Sequence, residues 1–199
     1  MIRVQKSLDR NQTYVVGFSG GSDSVAAADF LHRKHKIELC FVHHGQENDD
    51  QALDEVVINF AKDRELTLHI QKIDPNIPRG LSLEDYWRQE RYRVFKTFNT
   101  PVITCHSLDD CVETWVWSSM HGNGKIIPYS HQNIIRPFRV IRKDDFIQWS
   151  NTHGLKWYED YTNTDTRFVR NHIRHKMMPD ILKVNPGIHK VVLKKVLSD

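Results

Sequence analysis

The 199 residues predict an α/β fold with a parallel sheet between helical layers and a small helical C-terminal extension, on three observations. Short β-branched runs alternate with longer amphipathic stretches, the pattern of repeated strand–helix–strand units. The runs stop abruptly at loops rich in Gly, Ser, His and Asp. Composition is ordinary for a globule, with 39% hydrophobic and 27% charged residues, and the length suffices for one substantial core.

Taken in order, Tyr14 to Phe18 reads as a strand halted by Ser19-Gly20-Gly21, and Ser22 to Lys34 as a helix with Val25, Ala28 and Leu31 on its apolar face. Ile37 to Val42 is a second strand, stopped at His43-His44-Gly45. Gln51 to Arg64 is a helix, and Leu66 to Ile73 a third strand that Pro75 and Pro78 terminate. Ser82 opens a helix to Phe98, with Asp85 three residues on as an acidic capping partner. Val102 to Cys105 is a buried strand, and Asp109 to Met120 a helix closed by Gly122-Asn123-Gly124. Beyond Pro128 regularity fades, apart from helices near Lys143 to Thr152 and Asn171 to Val184, so the organisation expected is a core over 1–130 and an extension over 131–199.

Charge follows the same division. Residues 1–133 hold 15 Lys or Arg against 18 Asp or Glu, whereas 134–199 hold 13 against 7. The basic tail suits phosphate contact, and equally a solvated basic face. No run approaches the ~20 apolar residues of a membrane span, and the N-terminus lacks a signal-peptide pattern, so the expected location is the cytoplasm. Cys40, Cys105 and Cys111 form no CxxC pair, which argues against a zinc ribbon or a disulfide framework.

Three unusual clusters follow strands: Ser19 to Ser24, His43-His44-Gly45, and His106-Ser107-Leu108-Asp109-Asp110. In open parallel sheets ligands bind beyond the carboxyl ends of strands, so the three converge on one crevice. A double-glycine turn leading into a helix lets backbone amides approach an anion such as phosphate; a plain turn capped by Ser22 has the same local look. The loop is neither a Walker loop nor a dinucleotide fingerprint. Asp23 beside phosphates calls for a cation, and magnesium is the natural candidate. On a helix Asp110 and Glu113 share a face with Asp109 nearby, gathering negative charge; Ser107 and Asp110 also suit a capping box.

The string Phe18-Ser19-Gly20-Gly21-Ser22-Asp23-Ser24 resembles the SGGxDS loop of the N-type ATP pyrophosphatases, which binds the pyrophosphate end of ATP. A closer resemblance, to the tRNA-isoleucine lysidine synthetases, rests on an ordered series spanning most of the chain. It comprises Val42 to Gly45; Glu84, Arg88, Arg91 and Tyr92; His106 to Thr114 with Gly122 and Gly124; Arg136-Pro137; and Asp160, Asn163, Arg170-Asn171, Arg174 and Pro179.

That resemblance implies an adenine-nucleotide alpha-hydrolase-like domain and a ligase that attaches lysine to C2 of the anticodon wobble cytidine of tRNA(Ile) through an adenylated base. ATP with Mg²⁺, free L-lysine and tRNA(Ile) with a CAU anticodon are the implied partners. Ser19 to Ser24, with His43 and His44, would hold ATP; Asp110 and Glu113 the lysine ammonium; Arg170, Asn171 and Arg174 phosphate or tRNA. Asp23, His106, Asp109, Asp110, Glu113, Arg88 and Arg91 are the catalytic candidates, with the base for the amine open among Asp110, Asp109 and His106.

The histidines equally suit satisfied turns, the arginines charged helix faces, and Trp115, Trp117, Trp149 and Trp157 core packing. Cys111 and His121 stand where the family commonly has Gln and Arg. Members usually carry one or two further tRNA-gripping domains, so the resemblance is to a catalytic domain. Two alternatives remain: a tRNA sulfurtransferase or other adenylating enzyme with another acceptor, and a non-catalytic nucleotide-binding module.

Overall fold

A computed structural model describes residues 1–159 and 164–199. Asp160 and Asn163 of the sequence pattern lie outside the described residues. The strands are β1 (Thr13–Gly17), β2 (Lys36–His43), β3 (Leu68–Lys72), β4 (Val102–Ile103), β5 (Ser130–His131) and β6 (Ile134–Ile135). They form one sheet in the order β3-β2-β1-β4-β6-β5, parallel except for the β5–β6 pair. β1 is central and its Tyr14, Val15 and Val16 are buried, as expected of a strand covered on both faces.

Helices α1 (Ser22–His32), α4 (Leu83–Lys96), α5 (Leu108–Met120) and α6 (Lys143–Thr152) agree with the sequence expectation to within a few residues. Ser82 caps α4 by accepting from the Asp85 amide at 3.1 Å. The second expected helix starts earlier and is interrupted: α2 (Glu47–Ala52) passes through a π-helical turn at Leu53–Val57 into α3 (Ile58–Asp63). A second π-helical turn, Ile173–Met177, joins α7 (Val169–His172) to α8 (Met178–Val184). The β5–β6 hairpin and α9 (Ile188–Leu197) carry no counterpart in the sequence expectation.

The stretch beyond residue 130 is interlocked with the rest. β6 pairs with β4, α6 packs on α1, and α9 packs on α5. Ile188, Val192 and Val196, four residues apart on one face of α9, join the same buried cluster as Val16, Val25 and Val112. Arg139 is fully buried and is neutralised by Asp199 at 2.8 Å, with Gln5 Oε1 taking two more of its donors. Among the described residues, no helix is long and apolar enough to cross a membrane.

Candidate active site at the strand ends

The carboxyl ends of β1, β2 and β4 open into a cleft of about 640 Å³. Its floor is the loop after β1. Gly20 takes φ +78°, a conformation that glycine alone adopts cheaply, and a Cβ there would sit 3.2 Å from Val57. The π-helical turn carries Val57 to that contact. Ser24, not Ser22, ties the loop together: its hydroxyl accepts from the Ser19 amide at 3.2 Å and donates to the Gly21 carbonyl at 3.0 Å. The N-cap of α1 is Gly21, and no side chain caps the helix. The amides at the start of α1 therefore face the cleft without a side-chain acceptor, an arrangement suited to a polyphosphate.

Asp23 lies in the first turn of α1 and accepts from the Ser22 hydroxyl at 3.1 Å. Burial raises its pKa to about 6, and Asp110 adds to the rise, while Lys143 opposes it. This carboxylate lacks sufficient positive charge of its own, which fits a group that shares a cation with bound phosphates. No cluster of three or more metal-ligating side chains occurs among the described residues. Magnesium needs none, because it is commonly held by one or two carboxylates, water and substrate phosphates.

The second wall is α5 against α7 and its π-helical turn. Asp110 does two jobs with its two oxygens. Oδ2 accepts from the Ser107 amide at 2.7 Å and hydroxyl at 2.9 Å, completing the capping box, while Oδ1 accepts from Arg170 at 2.6 Å and Arg174 at 3.3 Å. Glu113, one turn on, is buried and accepts from Arg174 at 2.7 and 3.0 Å and from Arg170 at 3.3 Å. Burial alone would raise the Asp110 pKa; the Arg170 guanidinium, with the Ser107 amide and Arg174, holds it well below the carboxylate range. The acidic pair is thus already matched by two arginines.

Asp109 points elsewhere. Successive residues on a helix are rotated by about 100°, which turns Asp109 out of the cleft toward Arg142 at 3.1 Å, the Lys143 amide at 2.8 Å and His189 at 3.1 Å. Burial works against its ionisation, but these partners bring its pKa to about 2. It ties α5 to α6 and α9. His106 does line the cleft, with Nδ1 3.0 Å from the Thr104 hydroxyl, and burial lowers its pKa to about 3, so the ring is neutral.

The paired histidines divide. His43 is buried beneath the site: its Nδ1 accepts from the Gly45 amide at 3.0 Å, so Nε2 donates to Asp50 at 2.9 Å. His44 borders the cleft, with Nδ1 3.2 Å from Asp49 and its ring 5.3 Å from that of Trp87. Arg88 and Arg91 on α4 line the opposite rim, with Arg88 5.0 Å over the Tyr92 ring. Asn171 is buried and donates to the Asp165 carbonyl at 3.0 Å.

The cleft therefore gathers Ser19, Gly21 to Ser24, His44, Arg88, Arg91, His106, Asp110, Arg170, Asn171 and Arg174, with Gly20 shaping the loop. Glu113 backs it through the arginines. Asp109 and His43 stand outside. Sequence reasoning passed over Lys143, whose charge acts on Asp23, and Tyr158, whose amide donates to the Gly20 carbonyl at 2.9 Å and whose hydroxyl bonds Gln51 at 2.6 Å. A single lysine at a helix start and a tyrosine in a loop carry no pattern. Trp149 packs in the core against Phe30, whereas Trp157 borders the cleft.

Comparison with known proteins follows the same lines. A family model described as a PP-loop domain matches residues 2–181. The chain is 28% identical over 185 residues to a tRNA(Ile)-lysidine synthase of Vibrio vulnificus, covering 85% of this chain and 42% of that protein. It is 31% identical over 196 residues to the tRNA(Ile)-lysidine synthase of Persephonella marina, covering 90% and 43%. The chain thus spans less than half the length of these curated relatives. Among solved structures, the U34-tRNA thiolase NcsA of Methanococcus maripaludis superposes with TM-score 0.71 at 17% identity, over 96% of this chain and 73% of that one. The NH3-dependent NAD synthetase of Campylobacter jejuni gives 0.51 at 13% identity, over 99% and 86%. These two likenesses are of fold.

Proposed function

The chain belongs to the PP-loop domain family, and from that premise we propose that it cleaves ATP to AMP and pyrophosphate in order to join lysine to C2 of the wobble cytidine of tRNA(Ile). One observation carries the first half: a glycine loop with uncapped helix amides and a half-buried, under-compensated Asp23 faces two arginines across one cleft. The lysine and tRNA half rests on the likeness to the lysidine synthases.

The cytidine O2 attacks the α-phosphorus and pyrophosphate departs. The loop amides, with Lys143 and Arg174 nearby, meet the charge that develops on the departing phosphates. Asp23 would hold the magnesium, which when bound neutralises phosphate charge. The lysine amine then displaces AMP from C2. In this scheme Asp110 and Glu113 recognise the lysine ammonium only as Arg170 and Arg174 turn toward phosphate or RNA, for which their planar donor forks are suited. The basic segment from residue 134 supplies the phosphate-facing surface, and the chemistry belongs to the cytoplasm, where tRNA, ATP and lysine meet.

The thiols do not support sulfur transfer. Burial pushes Cys40 and Cys111 up to about 12 and raises Cys105 as well, so none is poised as a thiolate.

The test is α-labelled ATP, labelled lysine and tRNA transcripts with and without a CAU anticodon. Lysine entering only the CAU transcript, with one AMP released per lysine, is the expected result. Pyrophosphate release without lysine transfer assigns another acceptor, and no ATP turnover with any tRNA returns the chain to nucleotide binding alone.

A further inference from the structure

The two-step reaction leaves one proton without an acceptor. A lysine side chain has an ordinary pKa of about 10.4, so at neutral pH it arrives as an ammonium and must lose a proton before its lone pair can attack C2. The acids and bases named by the sequence serve this poorly. Asp110 is committed throughout, to Arg170 at 2.6 Å in this structure and, once that arginine turns away, to holding the lysine ammonium in its place. Asp109 lies outside the cleft, and His106, half-buried at the cleft wall, is weakly basic.

Tyr92 has the geometry that these lack. It lines the cleft from α4, and its hydroxyl oxygen accepts from Arg136 Nη2 at 3.0 Å. Arg136 is 2% exposed. The guanidinium's only other hydrogen-bond partner among the described residues is the Pro128 carbonyl at 3.0 Å, and its Nε has none. No ion pair among the described residues includes it. A guanidinium cannot shed its proton, and a buried cation without a counter-charge is costly. Of its two partners, a carbonyl cannot ionise and a phenol can. Arg88 adds a second cation over the ring at 5.0 Å, and Arg91 lies on the same helix; Phe95, 6.4 Å away, is the ring packed beside it.

We propose that Tyr92, ionised against the buried Arg136, is the base that removes the proton from the lysine ammonium; this rests on the two-step reading above. The proton moves from lysine Nζ to the phenolate oxygen. The freed pair forms the N–C2 bond, the C2–O2 bond breaks, and AMP leaves with that bonding pair. The nitrogen gives one further proton to water. Burial by itself would raise the Tyr92 pKa, but the charge and hydrogen bond of Arg136, with Arg88 and Arg91, outweigh it and bring the phenol below its ordinary value of 10. That is the direction required of a base matched to an amine.

The test compares the intact chain with Y92F in single turnovers, reading the ratio of lysine transfer to pyrophosphate release. The expected ratio for Y92F is lower by about 10²–10⁴ at neutral pH, and the deficit shrinks about tenfold per pH unit toward pH ~10, as the amine ionises unaided. In parallel, ultraviolet titration of phenolate absorbance shows one tyrosine of the wild type ionising ahead of the rest, missing in Y92F. If Y92F does not fold, the wild-type ratio must still rise with pH in step with that early tyrosine. An unchanged ratio in folded Y92F, or no early-titrating tyrosine in the wild type, overturns the assignment. Wild-type protein that releases pyrophosphate yet never transfers lysine overturns the two-step reading instead, and the two failures are told apart by the protein in which they appear.

Discussion

Replacing Arg174 with Met tests whether the acid–arginine cluster is a matched set. Glu113 is only 5% exposed in its side chain and takes its two shortest hydrogen bonds, 2.7 and 3.0 Å, from Arg174. In R174M it keeps only the 3.3 Å contact from Arg170, whose other donor is committed to Asp110 at 2.6 Å. Stranding one member of a buried pair costs about 3–5 kcal/mol. The remaining Arg170 contact, and the 23% exposure of Arg174, reduce the expectation to about 2–3 kcal/mol. For a chain of this size that is a fall in Tm of roughly 5–10 °C. Urea unfolding followed by tryptophan fluorescence measures it directly, in R174M, E113Q and the double variant. The double variant is expected to regain about 1–2 kcal/mol over R174M, because its stranded carboxylate is gone. The reasoning is refuted if R174M lies within about 0.5 kcal/mol of wild type, or if the double variant loses the sum of the two single losses.

Two further outcomes follow from the carboxylates that flank this cluster. Asp23, raised to about 6 from 3.8, favours the fold while protonated; that support is complete below pH ~4 and is lost as pH rises through about 6. D23N should therefore gain about 2–3 kcal/mol at pH 8 and nothing near pH 3.5, with nucleotide and metal absent, while ATP turnover collapses; equal changes at both pH values would contradict this. Asp109, lowered to about 2, contributes stability above pH ~4 that is lost as pH falls through about 2. D109N should cost about 2 kcal/mol at pH 7 yet slow turnover only a fewfold, since the side chain is outside the cleft. If a folded D109N instead turns over slower by about a hundredfold or more, the size of effect expected of a general acid or base, Asp109 is a catalytic group after all.

The parts of the fold that were legible were those whose pattern repeats locally. β1 and β2 announce themselves through short, mostly apolar runs, and the loop after β1 through its glycines and its break with strand chemistry. The β5–β6 hairpin is two residues on each side, too short to display any period. α9 was readable in principle, since Ile188, Val192 and Val196 recur every four residues, but its lysines mask the stripe. The π-helical turns were not readable, because an extra residue in a turn is fixed by packing against Gly20 and α5, not by local preference.

At the site, adjacency in sequence misled where rotation mattered. Asp109 and Asp110 are neighbours in the chain and face different partners. The pairing of Asp110 and Glu113 with arginines some sixty residues later, and of Tyr92 with Arg136, belongs to tertiary structure alone, so a single sequence offers the residue types but not their distances.

The bond from the Tyr158 amide to the Gly20 carbonyl also sets an order of events during synthesis. The nucleotide loop is made early, but the donor that completes its hydrogen bonds is translated about 140 residues later. At roughly 5–20 residues per second, the loop waits on the order of 7–28 s on the ribosome before its last anchor exists. A nascent chain thus carries the ATP signature long before it carries a finished ATP loop, and the strap at Tyr158 works as a timer on when that loop is complete.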